Sequence, residues 1–147
     1  MSIIQIKKLK KTATIPTRAT AGSAGMDLYA CITEPITINP AELATVPTGI
    51  AAALPSSDFA LFIFARSGLG VKHGISLSNG VGVVDSDYRG EISVGLCNLG
   101  SKPYTIAPNE RIAQMVAIPV AVFPITEVAE LNETARGTGG FGSTGKA

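Results

Sequence analysis

The chain is predicted to fold as an all-β domain, and three observations carry that reading. Short apolar or alternating runs are cut by Pro, Gly or Asn about every ten residues, the spacing of a sandwich or barrel-like fold. The 9 prolines and 16 glycines are spread so evenly that little room is left for long helices. A hydrophobic fraction of 46% against 16% charged, over 147 residues, supplies a real core for one domain and excludes global disorder.

In chain order the expected strands begin with SIIQIKKL, where Lys7, Lys8, Lys10 and Lys11 suit a solvated face or a protected edge. MDLYACI, ITI and LATVPTGIAAAL follow, then FALFIFA. This last run is apolar on both faces, so it should be covered on both sides, which hints at an oligomer. RSGLGVKHG is the best candidate for a turn or two of helix. ISL, GEISVGLCNL, YTI, RIAQMVAIPV and AVFPITEV complete the series. No internal repeat or linker precedes the Gly-rich tail, which divides the chain into a domain at 1–134 and a flexible C-terminal segment at 135–147.

Charge is balanced, with 12 Lys+Arg against 11 Asp+Glu, which argues against a general nucleic-acid partner but leaves room for a phosphate site. Cys31 and Cys97 sit in strand-like surroundings and read as buried, reduced thiols; with 1 His and no CxxC there is no zinc pattern. The N-terminus MSIIQIKKLKK has its charge after the apolar run and no signal-like h-region, and no apolar run approaches the ~18 residues of a membrane span. No membrane partner and a cytoplasmic location are therefore expected.

Five segments place polar residues among glycines in an otherwise apolar chain. In AGSAGMDLYA, Asp27 reads either as a turn residue or as a carboxylate beside a metal or an arginine. In ARSGLG, Arg66, Ser67 and Gly68 combine a guanidinium, a hydroxyl and helix-start N–H groups into an anion site; otherwise Ser67 only caps the turn. SNGVGVVDSDYRGEISV resembles a β-hairpin with an acidic, aromatic loop, in which Asp85, nearest the apolar strand, is the better candidate base. In NERIAQMV, Gln114 shares strand parity with Ile112 and Val116 and needs a partner on that apolar face. The tail ARGTGGFGSTGKA allows two readings, a frayed terminus or a lid. As a lid, its glycines approach a ligand, Arg136 and its hydroxyls meet phosphate, and Phe141 stacks. The lone His73 reads as structural.

In this order and spacing the segments resemble the five motifs of the trimeric dUTP diphosphatase (dUTPase) family, over nearly the whole chain. RSGL, VVDSDYRGE, RIAQ and RGTGGFGSTG in series carry the resemblance. One departure is Asn109, where the family commonly has Gly two residues before the fourth motif's Arg; Asn is the next best residue for a left-handed turn.

The resemblance implies a jelly-roll-like β-clip subunit, a homotrimer with active sites shared between subunits, and Mg²⁺-dependent hydrolysis of dUTP to dUMP and pyrophosphate. That reaction would keep uracil out of DNA and supply dUMP for thymidylate synthesis. By position it implies that Asp85 activates the attacking water, with Gln114 assisting at the phosphates beside Arg66, Ser67 and Gly68. Tyr88 would pack under the deoxyribose. Asn79, Gly82, Val83, Val84 and Ser93 would read the uracil edge. Asp27 would support the metal region or the tail arginine without ligating metal directly. Arg136, Ser143 and Thr144 would reach the γ-phosphate, with Gly142 between them and Phe141 over uracil. Two other classes share features with this one. A dCTP deaminase of the same fold would put a catalytic Glu in its pocket, and no Glu lies between Glu42 and Glu91. A nucleotide sensor without activity would tend to lose Asp85 or the tail, and both are present.

Overall fold

The computed structural model describes residues 3–140, so Phe141, Gly142, Ser143 and Thr144 lie outside the described residues. Among those described, the strands are β1 (Gln5–Lys8), β2 (Met26–Tyr29), β3 (Ile36–Ile38), β4 (Leu43–Pro47), β5 (Ile50–Ala53), β6 (Phe59–Phe64), β7 (Ile75–Leu77), β8 (Gly82–Val84), β9 (Ser93–Asn98), β10 (Tyr104–Ile106) and β11 (Arg111–Pro119). The one described helix, α1 (Ser67–His73), falls where the sequence places a helical turn, and Gly74 closes it at φ 72°. No helix among the described residues is long and apolar enough to cross a membrane.

The pairings are antiparallel throughout: a four-stranded sheet β2-β11-β6-β8, a three-stranded sheet β4-β9-β7, and the two-stranded pairs β1-β5 and β3-β10. The all-β reading therefore holds. The core between the sheets contains Leu28, Leu61, Ile75, Leu96, Ile106 and Met115, each nearly inaccessible. Strand β9 shows the governing period of two: Val94, Leu96 and Asn98 point inward and are buried. The buried Asn98 is fully satisfied, donating to the Ile38 and Lys102 carbonyls and accepting from the Gly100 N–H.

In FALFIFA, Leu61 and Ile63 face the core of the single chain, while Phe62 and Phe64 stack with ring centroids 6.4 Å apart on a half-buried face. Four expectations need correction. AVFPITEV is not a strand: the last rung is Val120 N–H to Asp58 C=O, after which no strand among the described residues lies beside the segment and Ile125 is 99% exposed. SNGVGVVDSDYRGEISV is not a hairpin, because β8 pairs with β6 and β9 lies between β4 and β7, making residues 85–92 a crossover between two sheets. Cys31 is a buried free thiol as expected, but Cys97 is only half-buried, since the β9 alternation turns it from the core. The parity reading of Gln114 fails at Ile112. A register shift between Arg111 and Ala113 buries both Ile112 and Ala113 and leaves Gln114 and Val116 on a half-buried face.

Candidate active site

Two clefts gather most of the residues that the sequence singles out. The first, about 380 Å³, opens where β2, β11 and the end of β6 meet α1, and its wall includes Asp27, Arg66, Ser67, Gly68, Arg111 and Gln114. Strand β6 delivers Arg66 in extended conformation just before the helix. The Arg66 Nε donates to Asp27 Oδ1 at 2.9 Å, its Nη1 donates to the Arg111 carbonyl at 3.2 Å, and Arg111 donates to Asp27 Oδ2 at 3.2 Å. One carboxylate thus spaces two guanidiniums, so Asp27 has arginine partners within its own chain. Free edges of both cations remain for an anion. The helix start has no side-chain cap, so the Ser67 hydroxyl is not used that way, and the first-turn N–H groups stand at the cleft.

Gln114 has the partner its position demands: Nε2 donates to the Ala65 carbonyl at 3.1 Å. Its Oε1 lies against Gly25, where a Cβ would sit 2.3 Å away. Arg111 is a cleft residue that the sequence reading passed over, although the RIAQ motif displayed it. Its place depends on the turn before it. Asn109 takes φ 61°, as expected of a Gly substitute, and Thr14 donates to its side chain at 2.6 Å. Glu110 accepts from the Ala107 N–H at 2.9 Å and from the Tyr104 hydroxyl. Burial and this acceptor push the Tyr104 phenol up to about 12.

The second cleft, about 220 Å³, lies along the 85–92 crossover and is lined by Val83, Val84, Asp85, Tyr88, Glu91, Ile92 and Ser93. Asp85 is exposed, and its carbonyl accepts the Tyr88 N–H at 3.2 Å. Among the described residues its carboxylate enters no ion pair. The Tyr88 hydroxyl donates to the Glu91 carbonyl at 3.0 Å. Gly82 presses on Ile63, and Asn79 stands near it, with its Nδ2 3.7 Å from where a Gly82 Cβ would be. Glu91 also belongs to this wall, so the Glu-free span between Glu42 and Glu91 does not keep a glutamate out of the cleft. Its Oε1 accepts the Gly49 N–H at 2.7 Å, so the carboxylate is engaged in structure.

The two clefts share no lining residue. Val84 pairs with Leu61, so Asp85 leaves the sheet beside Ala60, six residues back along the chain from Arg66, a backbone separation of about 20 Å. Arg66 also turns toward β2 and β11, on the side of β6 opposite β8. His73 joins neither cleft; its ring packs on Tyr104 at 4.7 Å. Arg136 is exposed and donates to the Gly139 carbonyl at 2.8 Å.

The dUTPase family model matches residues 11–145. The deoxyuridine 5'-triphosphate nucleotidohydrolase of Desulfitobacterium hafniense (strain DSM 10664 / DCB-2) is 47% identical over 149 residues, covering 99% of each chain. That of Neisseria gonorrhoeae (strain NCCP11945) is 52% identical over 131 residues, covering 89% of this chain and 87% of its own. Among solved structures, the dUTPase of Staphylococcus bacteriophage 80alpha with dUPNHPP superimposes with a TM-score of 0.87 at 26% identity, over 98% of this chain and 99% of that one.

Proposed function

This chain belongs to the dUTPase family and hydrolyses dUTP, and on that premise we propose that it releases dUMP and pyrophosphate with Mg²⁺ at sites shared between subunits of a homotrimer. In this reading it works in the cytoplasm, clearing dUTP and supplying dUMP for thymidylate synthesis. The observation that carries the shared site is the separation of the two clefts. In this reading a base and sugar lying against Tyr88 in one copy take their arginine cleft from a neighbour. Two further features support assembly. Val122, Phe123, Ile125, Val128 and Leu131 form an apolar arm exposed in the single chain, and the Phe62–Phe64 face is half-open.

The chemistry follows from the side chains. Uracil meets Asn79, the Gly82–Val84 backbone and Ser93, whose fixed donors and acceptors leave wrong bases unpaired. Tyr88 packs under deoxyribose and collides with a 2′-hydroxyl. Asp85 takes the proton from a water that attacks the α-phosphorus in line, and the bridging oxygen leaves with pyrophosphate. Arg66, Ser67, Gly68 and Gln114 hold the phosphates, with Asp27 fixing the guanidinium angle. Arg136, Phe141, Gly142, Ser143 and Thr144 supply the lid. Mg²⁺ would neutralise phosphate charge and fix the triphosphate's geometry. The donor set fits a metal carried on substrate oxygens: both oxygens of Asp27 are engaged by arginines, and no group of at least three His, Cys, Asp and Glu among the described residues could hold an ion.

The substrate reading is tested by pyrophosphate release from dUTP, dTTP, dCTP and UTP with and without Mg²⁺. Release from dUTP alone, and only with the metal, is expected; ammonia from dCTP would overturn it. Subunit sharing is tested by co-refolding Asp85→Asn chains with chains lacking residues 135–147. Mixed trimers, verified by native mass spectrometry, should exceed the summed activity of the parents. Activity at the parental sum would show that each tail serves its own Asp85.

A further inference from the structure

Tyr88 is 47% exposed on a crossover, so it can exclude a 2′-hydroxyl only if its ring is held still. Three contacts hold it. The ring lies over Gly90, where a Cβ would be 2.3 Å from the phenol oxygen. Its hydroxyl donates to the Glu91 carbonyl at 3.0 Å. The Glu91 carboxylate in turn accepts the Gly49 N–H at 2.7 Å. Gly49 is itself immovable: it has φ +68°, and a Cβ there would lie 2.6 Å from Cys31 Sγ and 2.8 Å from Ala13 Cβ. Beside it, Thr48, 1% exposed, donates its hydroxyl to the Ile92 carbonyl, and the Ile92 N–H donates to the Ile50 carbonyl at 2.9 Å.

Resting on the reading that Tyr88 packs under the sugar, we propose that Glu91 is the positioning residue for sugar discrimination: it ties the Tyr88 ring to the core-wedged turn at Thr48–Gly49. The backbone of Glu91 holds the ring, and its side chain holds that backbone. Breaking the carboxylate contact frees the crossover to shift, and a steric filter fails when its wall can move aside. A glutamine keeps an acceptor oxygen at the same reach, so it preserves the tie.

The test compares kcat/KM for dUTP and UTP in the full-length enzyme, with Tyr88→Ala as the reference for a lost wall. Glu91→Ala should lower the dUTP-over-UTP ratio about tenfold. Glu91→Gln should hold the ratio within about twofold of wild type. If the alanine chain does not fold, Glu91→Asp, which keeps the charge but withdraws the carboxylate by one methylene, carries the test with a drop of about threefold. A collapsed ratio in Tyr88→Ala with an unchanged one in the Glu91 variants, both nucleotides falling together, overturns the role of Glu91 alone. An equal loss in Glu91→Gln and Glu91→Ala also overturns it. An unchanged ratio in Tyr88→Ala overturns the sugar reading, and this inference with it.

Discussion

At the phosphate cleft the charged groups hold one another: Asp27 accepts from both Arg66 and Arg111, and Arg66 also binds the Arg111 carbonyl. At the nucleoside cleft, Asp85 enters no ion pair among the described residues and rides on a crossover fixed largely through backbone groups. The difference fits the two tasks proposed for these clefts. Cations that receive a triphosphate must be kept apart and aimed before it arrives, and a shared carboxylate does both. A general base must stay free to take a proton, so the protein fixes its chain and leaves its oxygens alone.

The sharpest way to break this contrast is Asp85→Asn. Shape is kept and the base is lost, so turnover should fall ~10²–10⁴-fold while a non-hydrolysable dUTP analogue still binds; steady-state kinetics with calorimetric titration checks both. Turnover within threefold of wild type would remove Asp85 from the mechanism. Asp27→Asn attacks the other cleft without touching substrate. With the shared negative charge gone and one of its two acceptor oxygens replaced by an NH2 group, one guanidinium loses its anchor, so kcat/KM should drop by up to about 10²-fold, and analogue affinity should weaken as well. Unchanged affinity would mean that the Arg111 carbonyl alone suffices to aim Arg66.

Gly25→Ala is a finer cut at the phosphate cleft. Its new Cβ would meet Gln114 Oε1 at 2.3 Å and push the amide aside. One hydrogen bond's worth of loss, about fivefold in kcat/KM, is expected, with the dUTP-over-UTP ratio unchanged. The smallest effect is ionic. Raising salt from about 0.05 to 0.5 M should raise KM two- to threefold, because the arginine cleft is open to screening. The sugar preference should not move, and a ratio that tracked salt would show that the two clefts do not divide the work as described.

Much of the fold was legible because antiparallel strands with one buried face leave a period of two in the sequence. The strands in GEISVGLCNL, ITI, ISL and YTI stand out as short apolar or alternating runs between turn residues, and RSGLGVKHG is the best helical candidate. The misreadings share a cause. A bulge at Arg111–Ala113 resets parity without a local signal, and crossover and hairpin look alike until pairing partners are known. AVFPITEV has a strand's composition, yet no strand among the described residues lies beside it.

The sequence by itself determined the all-β class, the family resemblance and the set of chemically able residues from Asp27 to Gln114, because these depend on residue type and order. Tertiary structure decided what each one touches. It gave Asp27 two arginines, engaged Glu91 with Gly49, and set Asp85 and Arg66 on opposite sides of β6. Those facts arise from strand pairings between residues far apart in the chain, and long-range register leaves no mark in local sequence.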